Sequence, residues 1–343
     1  MVLKELCALR GVAGSEGPVR DFIMERAKAL ADDVKVDRMG NVIATKYAKD
    51  KSAATVLLDA HMDEVGMIVV GVNENGLISY ETIGGIDPRV IISKRVFIGE
   101  NAVPGVIGAK AIHLQTPEER ERVLQHKDLF IEIGAKDKAA AERLVRPGDY
   151  VSFESDWVEF GEGFVKSKAL DDRIGCSTML RALEGEYPVN LVCAFVVQEE
   201  CGLRGARAAR YNVDCDMAIA LEGTTANDLG TAEEHLKVCV PGKGVAISFM
   251  DRASIGNVKL FEALKKVATD NDIPWQLKKY VAGGNDTGAL QTIKGPVPTG
   301  VLSVPCRYIH SPSSVASLLD VHAQYALVDA FLKSRTGGKE DMI

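Results

Sequence analysis

Residues Leu191-Val192-Cys193-Ala194-Phe195-Val196-Val197 form an uninterrupted apolar run, and Gln198-Glu199-Glu200 follow directly. A strand with one face in water alternates apolar and polar residues. A run without alternation is the pattern of a strand covered on both faces, as in a parallel sheet between helices. This constrains the chain to an α/β architecture and puts two adjacent carboxylates at the carboxyl end of a central strand, where open α/β sheets bind ligands. Neighbouring side chains of an extended chain point to opposite sides, so Glu199 and Glu200 can do different work, one holding a cation and the other handling a proton. Taken alone, the pair is equally well read as negative charge favouring the start of the next helix.

The rest of the chain repeats the texture. A second buried strand over residues 55–60 ends at His61-Met62-Asp63-Glu64, and a short one over 217–221 ends at Glu222-Gly223-Thr224-Thr225. Strands are expected over 245–249, 275–280 and 299–304, with helices near 173–183, 205–211 and 257–270. Residues 281–288 read as a loop entering a helix. A long helix over 313–333 closes the fold, and 334–343 reads as a frayed tail. At the other end, 3–32 reads as two helices broken at Gly11–Gly14, with Ser15 as N-cap and Pro18 in the first turn. A hairpin over 34–45 turns at Met39-Gly40-Asn41. From 66 to 160 the pattern changes to short Val/Ile stretches between Gly and Pro turns, giving expected strands at 67–71, 77–80, 90–98, 103–107 and 149–153. Helical pieces at 117–126 and 136–144 interrupt them. The expected architecture is therefore a mixed sheet flanked by helices, built from residues 1–65 and 161–343, with an inserted β-rich domain over 66–160.

Composition removes several function classes. A net charge of −7 argues against nucleic acid or an anionic membrane as main partner. No apolar stretch approaches the roughly 20 residues that span a bilayer, and the N-terminus lacks the apolar core of a secretory signal. Seven scattered cysteines without a CxxC pair fit a reducing compartment. A cytoplasmic protein is expected.

Residues of metal-binding type recur at strand ends or sharp loops: His61, Asp171, Glu200, Glu222 and His310, with Asp63 and Glu199 beside two of them. Mixed imidazole and carboxylate suits zinc or cobalt, with manganese as a third candidate. Catalytic zinc keeps three protein ligands, so five residues are too many for one ion but suffice for two if one carboxylate bridges. Each residue also has an ordinary explanation. Asp171-Asp172-Arg173 can cap a helix, His310 before Ser311-Pro312 can be a solvated turn, and Glu222 can pair with a lysine. Against those stands their joint occurrence, with two of only six histidines in such contexts. His113, His126, His235 and His322 lie elsewhere. Cys201 has no histidine placed locally to activate it, Gly283-Gly284 lacks the ending of a P-loop, and no Gly-x-Ser-x-Gly elbow occurs.

At these residues the chain closely resembles the M42 metallo-aminopeptidases, the glutamyl and tetrahedral aminopeptidases of bacteria and archaea. The matching motifs are Ala60-His61-Met62-Asp63-Glu64-Val65-Gly66, Lys168-Ala169-Leu170-Asp171-Asp172-Arg173-Ile174-Gly175, Gln198-Glu199-Glu200-Cys201-Gly202-Leu203-Arg204-Gly205-Ala206 and Tyr308-Ile309-His310-Ser311. The resemblance implies that Asp171 bridges two metals, that His61 and Glu222 complete one shell and Glu200 and His310 the other, that Glu199 is the general base, and that Asp63 supports His61. It also implies a PDZ-like β-domain used in dimerisation, assembly up to a tetrahedral dodecamer, and short peptides as substrates, cleaved at the N-terminal residue by a hydroxide held between the ions. Two features depart from the family pattern. Most members have aspartate where this chain has Glu222, and the glycine loop reads Gly284-Asn285-Asp286-Thr287, where the familiar form has threonine before the aspartate and alanine after it. Glycoside hydrolysis by paired carboxylates, deacylation of a small amino-acid derivative by the same metal chemistry, and a non-catalytic assembly role remain as alternatives at this stage.

Overall fold

The computed structural model describes residues 2–230, 233–281 and 283–342. All seven residues of Asn190–Val196 are buried, as the apolar run requires. In chain order the strands are β1 (Asp33–Val36), β2 (Val42–Lys46), β3 (Thr55–His61), β4 (Gly66–Val72), β5 (Ile78–Ile83), β6 (Arg95–Ile98), β7 (Val103–Ala109), β8 (Leu129–Glu132) and β9 (Tyr150–Phe153). There follow β10 (Val158–Phe160), β11 (Phe164–Ser167), β12 (Asn190–Val196), β13 (Met217–Thr225), β14 (Val245–Ser248), β15 (Trp275–Leu277), β16 (Thr299–Arg307) and β17 (Ser314–Ser317). One large mixed sheet runs in the order β1-β2-β12-β3-β13-β16-β17-β11-β10, with β14 and β15 branching from β16. Its centre, β12-β3-β13-β16, is parallel. Strands β4 to β9 close into an antiparallel barrel with its own apolar core of Met67, Ile78, Val96, Ile107, Ile131 and Val151.

One face of the large sheet packs on the helices Leu170–Ala182, Val258–Asp270 and Leu318–Lys333 through Leu58, Phe195, Leu221, Leu302 and Phe331. The other face packs on Arg204–Asn212 and Thr287–Leu290 through Val192, Ala194, Ala206 and Ala289. This second face carries the chemistry. The register pairs His61 with Val196, Asp59 with Ala220 and Glu222 with Ser303. Side chains two apart on a strand share a face, so Asp59, His61, Glu222 and Ser303 interrupt one otherwise apolar surface near the carboxyl ends of the parallel strands.

Local structure departs from the sequence expectations in several places. The helix expected to be capped by Ser15 spans Gly17–Ala27 with Glu16 at its N-cap, and the Glu16 carboxylate instead accepts the Gly14 and Gln198 amides. Residues 90–98 do not form one strand. Asp87 accepts the Arg89 amide and Pro88 opens a helical turn, Pro88–Ile91, before β6 begins. The expected helix over 117–126 stops at Glu121. The closing helix begins at Leu318 rather than 313, because Ser314–Ser317 is buried as a strand between β16 and β11 and Ser317 caps the helix. The tail is anchored by the Ala54 amide, which donates to the Gly337 carbonyl. No helix among the described residues is long and apolar enough to cross a membrane, and the seven cysteines are free.

Candidate active site

Three chain reversals meet at the site, and each carries one or two non-glycine residues in the left-handed region: Ala169, Gln198 with Leu203, and Tyr308 with His310 all have φ between 53° and 59°. Such conformations cost free energy and collect at functional sites. They turn β12 sharply into the Arg204–Asn212 helix and aim Glu199, Glu200, Asp171 and His310 at His61.

His61 is fully buried. Its Nδ1 lies 3.2 Å from the Asp63 carbonyl oxygen and 3.6 Å from the Asp63 carboxylate. Its Nε2 faces Asp171 Oδ1 at 3.5 Å and Glu222 Oε2 at 4.0 Å. His310 is arranged alike: the Gly85 carbonyl sits 2.9 Å from Nδ1, while Nε2 faces Asp171 Oδ2 at 3.5 Å and Glu200 Oε1 at 3.2 Å. In both rings one nitrogen is engaged by a carbonyl and the other is presented to carboxylates. Three groups of potential ligand atoms result, each with its atoms within 4.8 Å of one another: His61–Asp171–Glu222, Asp171–Glu200–His310 and His61–Glu199–Glu200. Asp171 belongs to two of them and turns a different oxygen to each histidine. The structure thus brings together all five residues singled out as possible ligands, together with Glu199.

Asp63 does more than face His61 Nδ1. The carboxylate, fully buried, accepts the Glu199 amide on one oxygen and the Glu200 amide on the other, both at 3.1 Å. It therefore fixes the end of β12 against the end of β3. Glu64 next to it is buried with Lys168, whose Nζ donates to both of its carboxylate oxygens at 2.7 and 2.9 Å.

Burial dominates the protonation of this cluster. It pushes Glu200 up to about 7 against the pull of His310 and His61, and drives Glu199 and Glu222 well above the usual carboxylate range. The histidines move the other way from what burial alone would give: bonds to Asp171 and, at His61, Asp63 raise them, His310 to about 9. Asp171 resists burial because two rings face it, and lies below the ordinary range. Without cations the site is held together by shared protons.

Sequence reasoning did not single out several residues that shape the site. Asp59, two residues before His61, lies with Asp286 of the glycine loop; both are fully buried and no carboxylate oxygen of either has a hydrogen-bond partner of ordinary geometry. Burial raises both, Asp59 to about 7. Asp59 could have been found as the single ionisable residue inside an apolar strand, in phase with His61. Gly85 carried no signal, because its contribution is a backbone carbonyl from the barrel insert. Cys201 remains half-buried with its thiol raised by burial, which is unfavourable for a nucleophile.

A cavity of about 460 Å³ opens over the cluster, bounded by Thr224, Lys278, Asn285, Ser303 and Ile309. A larger cleft of about 800 Å³ lies between residues 10–18 and the barrel and contains none of the seven candidate residues.

The comparisons with known proteins agree with this geometry. A family model described as M42 glutamyl aminopeptidase matches residues 40–327. The chain is 32% identical over 343 residues to the lysyl aminopeptidase of Pyrococcus furiosus, covering 97% of this chain and 96% of that one. It superposes on the aminopeptidase APDkam598 of Desulfurococcus kamchatkensis with a TM-score of 0.93 at 32% identity, over 98% and 94% of the two chains. The TET1 peptidase of Pyrococcus horikoshii, which can assemble into a tetrahedron or a large octahedral shell, gives a TM-score of 0.85 at 30% identity over 97% and 98%. The chain belongs to the M42 glutamyl aminopeptidase family and is a peptide hydrolase.

Proposed function

We propose that the chain is an aminopeptidase dependent on two divalent cations, one held by His61, Asp171 and Glu222 and the other by Asp171, Glu200 and His310. The observation that supports this best is the division of Asp171, whose two oxygens face two different imidazole nitrogens. The donor set fits such ions. Each histidine has its other nitrogen already engaged, as metal-binding imidazoles require, and Glu222 Oε1 is buried without a partner. Nitrogen and oxygen donors suit zinc or cobalt, with manganese as a further candidate. When bound, a pair of cations supplies a Lewis-acid clamp and lowers the pKa of a shared water.

Glu199 lies in the pocket wall outside the two groups that meet at Asp171. In this mechanism its carboxylate takes the proton of the attacking water and returns it to the amine as the peptide bond breaks, so it ends in its starting state. Asp63, through the Glu199 and Glu200 amides, keeps the base and a ligand in register. Glycoside hydrolysis is disfavoured by the same geometry. Glu199 and Glu200 present oxygens within 4.8 Å of each other and of His61, whereas carboxyl groups flanking a sugar stand roughly 5–9.5 Å apart.

Homo-oligomeric assembly, with a tetrahedral dodecamer as one form, is carried over from the TET1 peptidase structures, one a dodecamer and one able to form a tetrahedron or a large octahedral shell. Exposed Ile112, Leu114 and Val123 on the barrel insert offer apolar surface for it. We place the activity in the cytoplasm, on the scattered free cysteines. The family description and the lysyl relative name different N-terminal residues, so membership leaves the preference open.

The test is a panel of aminoacyl chromogenic substrates on chelated protein titrated with Zn²⁺, Co²⁺ and Mn²⁺. Turnover is expected to appear with added cation and to vanish on chelation. Undiminished turnover after exhaustive chelation, or none on any substrate with two ions bound, would reject the proposal. Gly223 offers a finer check. Its amide donates to Asp171 Oδ1 at 3.1 Å, and a Cβ there would lie 2.9 Å from Asp171 Cβ and Oδ1. Gly223→Ala is expected to weaken cation binding by about 10–100-fold, the scale for disturbing a ligand's support, with little change in the far-ultraviolet circular dichroism. Unchanged cobalt titration in Gly223→Ala would argue against Asp171 as shared ligand.

A further inference from the structure

The cleft of about 800 Å³ between residues 10–18 and the barrel plays no part in the mechanism above, yet both of its walls carry unused hydrogen-bond donors. One wall is the outer face of β9. Tyr150 and Ser152 stand two apart on that strand, on the face opposite Val151 and Phe153 of the barrel core. The Tyr150 hydroxyl reaches across to the other wall, where a Cβ on Gly14 would lie 2.6 Å from it; that contact and a φ of +93° both require glycine there. The Ser152 side chain lines the cleft, is 4% exposed, and its hydroxyl has no hydrogen-bond partner. A hydroxyl both desolvated and unpaired is costly, and a ligand acceptor in the cleft would relieve that cost. Arg143, on the same wall, is exposed and makes no hydrogen bond or ion pair with any described residue.

The second wall is the start of the Gly17–Ala27 helix. No side chain caps that helix, because the Glu16 carboxylate is turned to the Gly14 and Gln198 amides. Gly17 and Pro18 line the cleft, so the positive end of the helix dipole faces it. Beside them Arg10 donates from Nη1 and Nη2 to the Gly99 and Glu100 carbonyls, which leaves its remaining N–H groups unengaged. Acidic groups are present as well. Asp149 accepts the Arg146 amide at 2.9 Å and lies 3.5 Å from its Nε, while Glu100 and Glu142 are exposed. These acids balance the three arginines, so no excess positive charge draws in a polyanion. What the walls offer is a set of directed donors for a single oxyanion.

We propose that this cleft is a second ligand site, which binds a small organic molecule through one oxyanion group, a carboxylate or a phosphate ester. The volume is that of a small-molecule pocket rather than of a bare ion. Ser152, Tyr150 and Arg143 approach the oxyanion from the barrel, and Arg10 and the helix start approach it from the large-sheet domain. A bound ligand therefore ties the two domains together on the side away from the proposed cation ligands.

The experiment is calorimetric titration of the full chain, cation-loaded and chelated, with three probes. They are glycerol 3-phosphate, N-acetyl-alanyl-alanine, whose blocked amino group bars it from aminopeptidase turnover, and the amide of that dipeptide, which lacks the oxyanion. Saturable binding of an anionic probe is expected, equal on loaded and chelated protein, with none of the amide; the probe that binds identifies the source of the oxyanion. Ser152→Ala should weaken binding by about 10–100-fold, the range for a hydrogen bond to a charged group. Arg143→Glu should weaken it too, by setting like charges together, and Arg143 is exposed, so this variant tests the site even if Ser152→Ala disturbs the barrel. The bound probe should raise the melting temperature of the parent and not of the variants, and both variants should keep the parent's kcat/KM on aminoacyl substrates. No saturable binding of either anionic probe at millimolar concentration, or equal binding of the amide, overturns the proposal. Binding that disappears on chelation, or that is unchanged in folded Ser152→Ala and Arg143→Glu, places the probe elsewhere and overturns it as well.

Discussion

Glu199→Gln, loaded with two cations per chain, is expected to turn over its best aminoacyl substrate on the order of 10²–10⁴-fold more slowly than the parent, the range that general acid–base help contributes. The substitution keeps the shape and removes the ability to take a proton. The strand end should stay in place, since the Asp63 carboxylate holds the Glu199 and Glu200 amides through backbone groups that the change does not alter. Five other residues are proposed to supply the ligands, so cation content should be preserved. In the cation-free pocket burial pushes the Glu199 carboxyl well above its ordinary range, with His61 opposing and Asp286 adding to the rise. Two nearby divalent charges act in the opposite sense and favour the ionised base. Loading therefore both completes the site and deprotonates its base. The measurement is kcat at saturating substrate with metal content determined on the same sample. Parent-like kcat in fully loaded Glu199→Gln would remove Glu199 from the mechanism.

The parts of this site that were legible in the sequence are those where chemistry interrupts a regular pattern. The buried run before Glu199-Glu200 announced a central strand, and β12 lies between β2 and β3. His61, Glu222 and His310 stood out because polar residues followed apolar stretches. What escaped detection depends on long-range pairing or on the backbone. β10 and β11 form a hairpin on the edge of the large sheet, and every residue of Val158–Phe160 is exposed, so no apolar pattern marks it. Ser314–Ser317 has serines at both ends and four buried residues, and is recognisable only from the register that seats it between β11 and β16. Asp286 was visible merely as part of a glycine loop; its meaning comes from Asp59, over two hundred positions earlier.

Cation binding is expected to strengthen with pH by at least roughly tenfold per unit up to about 9, and more steeply below about 7. The slope follows from the protons that the cations must displace. Burial holds the Glu200 carboxyl up at about 7, and the Asp171 and Glu200 carboxylates hold the His310 imidazolium up at about 9 against burial. Below 7 both groups carry a proton in the cation-free protein, and both must lose it to become ligands. Between 7 and 9 His310 still does, and the raised His61 and Glu222 act in the same direction. The stability of the cation-free protein changes in the opposite direction. A group whose folded-state pKa is raised contributes most below its unfolded value and loses that contribution as pH rises through the folded one. For Glu200 this loss falls between about 4.5 and 7, and for His310 between about 6.5 and 9. The loaded protein escapes both losses, because the cations take over the work of the shared protons. The gap in melting temperature between loaded and cation-free protein should therefore widen from pH 6 to pH 9, in parallel with the affinity measured by Co²⁺ titration. A Co²⁺ affinity that stays flat across that interval would mean that Glu200 and His310 are not displaced by the cation, and the two-cation assignment would have to be abandoned.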